Sequence, residues 1–202
     1  MVALADASEV MHGIRRKPGV IYTVLVPNVR GAERAIEARA DELNLVMSAS
    51  ESHNLSNLRM TRAQSFAGLA EVAGMAHGAG TAVNVSLSCS FGCPMEGEVP
   101  TATVLEWCGR FVGELGARGV TLCDTTGMAY PTQVVALVRA FRERWPAAEL
   151  TLHFHNTRGM GLANVIAAID AGTPHNIVAG SSTVHCDSPY HAHTLPTMPR
   201  NA

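Results

Sequence analysis

The stretch LTLHFHNTRGMGLANV, residues 150–165, decides the fold class more than any other part of the sequence. It begins with a short apolar run that ends at His155, continues through a glycine-containing turn, and then takes up a helical pattern that runs to Ala171. The stretch therefore predicts a β-strand, a loop and an α-helix in that order.

The same order occurs five times along the chain. Apolar runs rich in β-branched residues predict four further strands, at residues 20–26, 43–49, 81–87 and 119–124. Helical patterns lie between them, at 31–40, 61–77, 104–115 and 131–142, with Thr101 and Thr103 as candidate caps for the third of these. Alternating strands and helices predict parallel strands with helices packed outside, which is either a doubly wound sheet or a (β/α)8 barrel.

Polar residues at the strand ends favour the barrel. Asn28, Ser50, Cys89, Asp124 and the histidine pair each lie where a predicted strand stops, and in a barrel those ends share one mouth. No G-x-G-x-x-G follows a strand to open a helix, as a dinucleotide-binding fold would require. A complete barrel needs eight units and about 250 residues. We therefore expect a partial TIM (β/α)8 barrel of about five units.

Composition and charge exclude several classes of function. The chain has 202 residues, 47% of them hydrophobic, and a formal net charge of -2, so a nucleic-acid partner is not expected. Neither a signal peptide nor an apolar run of ~18 residues is present, which predicts no membrane association. Five scattered cysteines predict a reducing, cytoplasmic location rather than a disulfide framework.

The periodic pattern stops near Gly172. We expect a barrel-like domain over residues 1–171 and a divergent, irregular tail over 172–202. The tail holds four of the nine histidines, but none of them lies on a predicted helix or strand that would fix metal-ligand geometry, so we expect them to be solvated.

His153 and His155 are the strongest candidates for chemistry. Side chains at i and i+2 of a strand share a face, so two imidazoles here would make half of a metal site, whereas a single histidine is more often packing or surface. Asp124 is either a carboxylate at the mouth or a cap for the next helix. Cys89 and Cys93 have a spacing that is weak evidence for zinc, and buried thiols without a role are commoner.

Five segments resemble the 3-hydroxy-3-methylglutaryl-CoA lyase family. They are LTLHFHNTRGMGLANV, VTLCDTTGMAYPTQV, LSCSFGCPMEGEV, YTVLVPNVRGAERAIE and SASESHNLSN, and the resemblance runs from about residue 6 to 172. It implies a TIM barrel, a divalent Mg²⁺ or Mn²⁺ bound by His153 and His155, and a part in leucine catabolism. The implied reaction is retro-Claisen cleavage of an acyl-CoA substrate to acetyl-CoA and a keto acid such as acetoacetate.

The resemblance also assigns roles to single residues. It implies catalytic roles for Asp124, His153 and Cys89, and substrate binding by Ser50, Asn57, Thr126, Asn156 and Arg158. Related acyl-CoA lyases or condensing enzymes of the same superfamily, an inactive fragment, and a partner-binding subunit are the alternatives.

Two segments typical of the family do not match this sequence. The family's Arg-Asp-Gly strand near the start and its Gly-Cys-Pro-Tyr loop near the end have no counterpart, since Cys186 does not match that loop. We therefore expect a lyase truncated at both ends or frame-shifted after Gly172, or a barrel that self-associates through its open edges.

Overall fold

The computed structural model describes residues 7–173 and 177–180, and these form one sheet flanked by helices. The strands are β1 Thr23–Leu25, β2 Glu42–Ser48, β3 Ala82–Ser88, β4 Gly119–Asp124, β5 Glu149–His155 and β6 Ile177–Gly180. The helices are α1 Ala7–Gly13, α2 Val29–Glu37, α3 Glu51–Leu58, α4 Arg62–Gly78, α5 Thr101–Gly113, α6 Pro131–Arg144 and α7 Gly161–Asp170.

Every strand in the sheet is parallel to its neighbour, and the spatial order is the order along the chain. A doubly wound sheet would reverse its strand order at a switch point, and the described strands do not. The sheet is therefore an arc of a (β/α)8 barrel, and the prediction of a partial TIM barrel is confirmed. Within the described residues no helix is long and apolar enough to cross a membrane.

Three features differ from the sequence-based expectations. Helices α1 and α3 were not predicted, because both are short and carry few large apolar residues. Helix α5 begins at Thr101 after the N-cap Pro100, without a side-chain cap, so neither Thr101 nor Thr103 caps it. Four residues of the segment expected to be irregular, Ile177–Gly180, pair with β5 as strand β6. Residues 181–202 lie outside the described part.

Side chains alternate between the two faces of the sheet in a common register. Leu45, Val85, Val120 and Leu150 face the helices and are fully buried. Residues in register point to the same face, so the opposite, interior face is lined by the alternate positions, which are mostly small and polar: Asn44, Ser48, Asn84, Ser86, Ser88, Thr121, Cys123 and Thr151. TIM barrels more often fill this interior with bulky branched residues.

Hydrogen bonds join these interior side chains across three strands. The Nδ2 atom of Asn84 donates to Asn44 Oδ1 and to Thr121 Oγ1, each at 2.8 Å, and Ser86 Oγ donates to the same Asn44 oxygen at 2.9 Å. Burial of polar groups is costly unless they are paired, and here the pairing offsets that cost. The interior below the histidine pair is consequently polar and satisfied.

Asn54 fixes the loop that follows β2. Its Oδ1 accepts the backbone N–H of Ser48 at 2.9 Å, and its Nδ2 donates to Met60 O and to Ser65 Oγ, each at 2.8 Å. The side chain is fully buried. One amide thereby joins the end of β2, the turn after α3 and the first turn of α4.

We predict that Asn54→Ala lowers the free energy of unfolding by about 2–4 kcal/mol, because it leaves two buried groups and one half-buried carbonyl without a partner. Urea unfolding followed by circular dichroism measures this. Ser56→Ala, an exposed position on the same helix, is the matched control and should change stability by less than about 0.5 kcal/mol. Equal effects of the two substitutions would contradict the assignment.

Candidate active site at the carboxyl ends of the strands

His153 and His155 project from the last three residues of β5 on the interior face of the sheet. Their rings stack with centroids 4.9 Å apart and an interplanar angle of 19°. His155 is only 7% exposed, and His153 is half-buried. Phe154 between them is fully buried against the helices. The alternation predicted from the sequence thus places both imidazoles on one face.

Cys123 is the neighbour of His153 in the sheet register, and the sequence analysis did not assign it a role. Burial raises the pKa of the Cys123 thiol to about 12, a hydrogen bond from Ser86 opposes that shift, and the nearby Asp124 carboxyl adds to it. The group is therefore a neutral S–H beside the histidines. Its face follows from the register, because residues in register with an interior histidine face the interior too, and the sequence alone does not determine that register.

Asp124 does not share the face of the histidines. It is in register with Phe154, and its side chain is 1% exposed. Its Oδ1 accepts the backbone N–H groups of Met128 at 2.7 Å and Ala129 at 3.1 Å. Asp124 thus holds the loop that follows β4, before helix α6 begins, and the catalytic role that the family resemblance implies for it stays a prediction.

The second oxygen of Asp124, Oδ2, is buried and has no hydrogen-bond partner in the described part of the chain. Burial raises the pKa of this carboxyl, while the hydrogen bonds from Ala129 and Met128 and the charge of Arg158 oppose the shift. Asp124 and Arg158 therefore interact across the loops that follow β4 and β5.

These two loops are in direct contact. Gly127 has a φ of +70°, and a Cβ placed on it would lie 2.9 Å from Thr157 Cβ and 3.0 Å from the Thr157 backbone nitrogen. Only glycine fits this left-handed conformation against a neighbouring backbone. Thr126 lies in the first loop, and its Oγ1 is buried without a partner in the described part of the chain. Asn156 begins the second loop, where its Oδ1 accepts the N–H of Gly161, the first residue of α7, at 2.8 Å.

Ser50 and the cysteines of the loop after β3 form a separate cluster. Ser50 is the N-cap of α3, its Oγ accepts His53 N–H at 3.1 Å, and Cys93 Sγ lies 3.1 Å from the same oxygen. Cys89 has a φ of +57°, and burial raises the pKa of its thiol to about 12. Both sulfur atoms belong to fully buried residues. The structure thus gives Ser50 a capping function and makes Cys89 a neutral, inaccessible thiol.

Asn57 and Glu96 are two further polar residues at helix α3. Asn57 lies half-buried on α3, and the substrate contact that the resemblance implies for it stays a prediction. Glu96, in the loop after β3, accepts Ser52 N–H with its Oε1 at 2.6 Å at the start of α3. Burial opposes ionisation of Glu96, but the hydrogen bonds from Ser52 and Ser50 and the charge of Arg62 outweigh it and lower the pKa. No sequence pattern links a loop carboxylate to a helix 44 residues earlier.

The described residues contain no group of three or more histidine, cysteine, aspartate or glutamate side chains arranged to hold a metal ion. The two imidazoles of β5 are the nitrogen donors that the site offers. An all-parallel sheet in sequential order with polar residues collected at its carboxyl ends has the arrangement of a TIM-barrel enzyme.

Comparison with known proteins identifies a family within the class of TIM-barrel enzymes. A family model described as HMGL-like matches residues 3–180. The hydroxymethylglutaryl-CoA lyase YngG of Bacillus subtilis is 41% identical over 170 residues, which are 84% of this chain and 56% of that protein. The (R)-citramalyl-CoA lyase of Chloroflexus aurantiacus is 40% identical over 151 residues, or 75% of this chain and 47% of that protein.

A solved structure of a related lyase is similar to this chain in both fold and sequence. An HMG-CoA lyase from Acinetobacter baumannii, in complex with coenzyme A and 3-methylmalate, superposes with a TM-score of 0.82 at 47% identity and covers 88% of this chain and 57% of its own. The chain belongs to the HMGL-like family, whose relatives named here are carbon–carbon lyases. It spans about half the length of the curated relatives it matches.

We predict that Asp124→Asn stabilises the protein at neutral pH. The folded-state pKa of Asp124 is raised, so its contribution to stability is fully present below the unfolded pKa of about 3.9 and is lost as the pH rises through the folded pKa. Asparagine removes the buried charge and keeps an oxygen for the Met128 and Ala129 N–H groups.

Urea unfolding from pH 4 to pH 8 tests this. The stability gain of Asp124→Asn should be largest at pH 8 and should shrink towards pH 4, whereas Asp170→Asn, at an exposed position, should show no such trend. A loss of stability at pH 8 would mean that the Asp124 carboxylate is needed in its ionised form.

Proposed function

We propose that this chain carries the histidine half of a hydroxymethylglutaryl-CoA lyase active site and contributes to metal-assisted cleavage of a 3-hydroxyacyl-CoA to acetyl-CoA and a keto acid. The observation that carries the proposal is the stacked His153–His155 pair on the interior face of a barrel whose relatives are lyases of this kind. The acyl-CoA substrate is supported by the coenzyme A bound to the related structure. The cytoplasmic location stays a prediction that rests on the cysteine count.

The imidazole pair fits a divalent ion as part of a mixed nitrogen and oxygen ligand set. His155 is almost fully buried and His153 is half-buried. Their near-parallel rings lie side by side on one face of β5, at its carboxyl end. Mg²⁺ and Mn²⁺ are the ions that the family resemblance implies, and because both prefer oxygen ligands, the two imidazoles would supply only part of the ligand set. When bound, such an ion would polarise the substrate oxygens and favour loss of the hydroxyl proton.

The cleavage itself breaks one carbon–carbon bond and moves two protons. The 3-hydroxyl group loses its proton, the C2–C3 bond breaks, and C3 becomes the ketone of the keto acid. The electron pair of that bond forms the thioester enolate, which takes a proton at C2 to give acetyl-CoA. For 3-hydroxy-3-methylglutaryl-CoA the keto acid is acetoacetate.

The residues of the two mouth loops supply orientation. We assign Arg158, exposed after β5 and close enough to interact with Asp124, to the substrate carboxylate, because guanidinium groups match carboxylates in geometry. We assign Thr126 Oγ1 and the amide nitrogen of Asn156, polar groups of the same two loops, to orienting the substrate beside Arg158. Asp124, Ser50 and Cys89 are buried, and the catalytic roles of Asp124 and Cys89 and the substrate contact of Ser50 that the resemblance implies stay predictions.

A second substrate is favoured by one comparison. The (R)-citramalyl-CoA lyase relative is 40% identical, almost as similar as the hydroxymethylglutaryl-CoA lyase at 41%. Both names describe cleavage of a hydroxyacyl-CoA. Citramalyl-CoA therefore belongs in every activity assay beside 3-hydroxy-3-methylglutaryl-CoA.

We predict that cleavage of 3-hydroxy-3-methylglutaryl-CoA in the presence of Mn²⁺ is lost, by at least about 100-fold, in the double variant His153→Ala with His155→Ala. Release of acetyl-CoA and acetoacetate measures the reaction. His77→Ala, an exposed histidine on α4, is the control and should retain the wild-type rate. Cleavage of neither substrate by the wild-type chain, or cleavage that survives the double variant, would contradict the proposal.

We also predict that Mn²⁺ raises the melting temperature of the wild-type chain and not that of the double histidine variant, because only the folded state would bind the ion. The rise should still be growing at about millimolar Mn²⁺, since two imidazoles alone bind weakly. A rise that is already complete at micromolar Mn²⁺ would show that further ligands are present, and an equal rise in the variant would place the ion elsewhere.

A further inference from the structure

The loops at the mouth of the barrel overlap in a regular way. We call them the rim loops: residues 89–100 after β3, 125–130 after β4 and 156–160 after β5. Met128 of the second rim loop lies over Gly92 of the first, with its Cε 3.1 Å from where a Gly92 Cβ would be. Thr157 of the third lies over Gly127 of the second in the same manner. The second and third rim loops therefore each pack against the rim loop before them.

A side-chain amide from the following helix secures each overlap. Gln133, in the first turn of α6, donates from Nε2 to the Phe91 carbonyl of the first rim loop at 3.0 Å. Asn164, near the start of α7, donates from Nδ2 to the Ala129 carbonyl of the second rim loop, also at 3.0 Å. The two contacts have the same form on successive β/α units.

Both amides have the same unusual deficiency. In the described part of the chain, Asn164 Oδ1 and Gln133 Oε1 are buried without a hydrogen-bond partner. Asn164 is 0% exposed. A buried amide with an unpaired oxygen costs stability relative to an apolar side chain of the same shape. The donor half of the amide is the part that the structure uses, and it acts on a loop of the mouth.

Asn164 and Asp124 hold the same residue from its two backbone groups. Ala129 donates its N–H to Asp124 Oδ1 at 3.1 Å and accepts Asn164 Nδ2 at its carbonyl. The second rim loop is thus fixed at its end to both β4 and α7. Because α7 follows the third rim loop, Asn164 ties the loop that carries Thr126 to the helix after the loop that carries Arg158.

We propose that Asn164 is a positioning residue, which holds the second rim loop so that Thr126 faces the substrate groups bound beside the histidine pair. The inference rests on the proposed lyase function for its kinetic consequence. The loop position that it describes is measurable without any activity. Gln133, which secures a different rim loop by the same contact, provides a matched comparison.

Backbone hydrogen exchange followed by mass spectrometry tests the loop position. Asn164→Ala should speed exchange over residues 125–130 more than over residues 89–93, while Gln133→Ala should give the reverse order, since Cys89 N–H and Thr125 Oγ1 also join the two loops. Asn164→Leu keeps most of the side-chain volume, removes the donor, and should match Asn164→Ala. Wild-type exchange over 125–130 in either Asn164 variant would overturn the proposal.

Steady-state kinetics with 3-hydroxy-3-methylglutaryl-CoA and Mn²⁺ tests the consequence. At a temperature where the variants are fully folded, Asn164→Ala should lower kcat by about 10- to 100-fold, because small misplacement of substrate-orienting groups is costly in rate. In a Thr126→Val background the same substitution should lower kcat by less than about threefold, since the two act as one unit. Gln133→Ala should instead combine multiplicatively with Thr126→Val.

The outcomes separate the two proposals. A wild-type chain without cleavage activity overturns the lyase proposal, and hydrogen exchange then decides the role of Asn164 by itself. An active wild type in which Asn164→Ala changes only the melting temperature, with kcat and KM unchanged, would show that Asn164 only stabilises the fold and would overturn the positioning proposal.

Discussion

The parallel register of β4 and β5 is the constraint on which the site depends. Because side chains alternate with a period of two, the pairing of Cys123 with His153 fixes which residues of both strands reach the interior and which reach the helices. A slip of one residue would exchange His153 for Phe154 and bury an imidazole against α7. The fully buried apolar set on the helix side, Leu122, Leu150, Leu152 and Phe154, prevents that slip, since moving it to the polar interior would expose it.

The same constraint explains how far sequence reasoning could reach. The strand that ends at Asp124 was predicted with the bounds that the structure shows, and so was the shared face of His153 and His155. The face on which Asp124 lies was not predicted, because it is the pairing with β5 that shows which face of the sheet the side chain reaches. A carboxylate at a strand end is equally compatible with either face until the register is known. Cys123 was missed for the same reason.

Other residues escaped prediction because their contacts are distant in sequence. Glu96 caps a helix that begins 45 residues earlier, since α3 starts at Glu51, and Asn164 binds a carbonyl 35 positions away. Neither side chain belongs to a local motif. Strand β6 was missed because Ile177–Gly180 is short and is followed by polar sequence, although it continues the parallel order of the barrel.

The two faces of the sheet carry different kinds of polar group at the mouth of the barrel. The interior face presents the histidines and a neutral thiol above a polar, hydrogen-bonded layer that joins Asn44, Asn84, Ser86 and Thr121. The helix side presents buried polar groups, among them Asp124 and Asn164, whose work is to hold loops. The histidine pair and Asp124 therefore lie on opposite faces of neighbouring strand ends.

The most direct test of this account is pulsed electron paramagnetic resonance of the Mn²⁺-loaded chain with ¹⁵N-labelled histidine. The account predicts nitrogen modulation that changes with the label and disappears when His153 and His155 are both replaced by alanine. A spectrum identical to that of Mn²⁺ in water, or histidine coupling that persists in the double variant, would contradict the claim that the β5 histidines form the metal-binding part of the site.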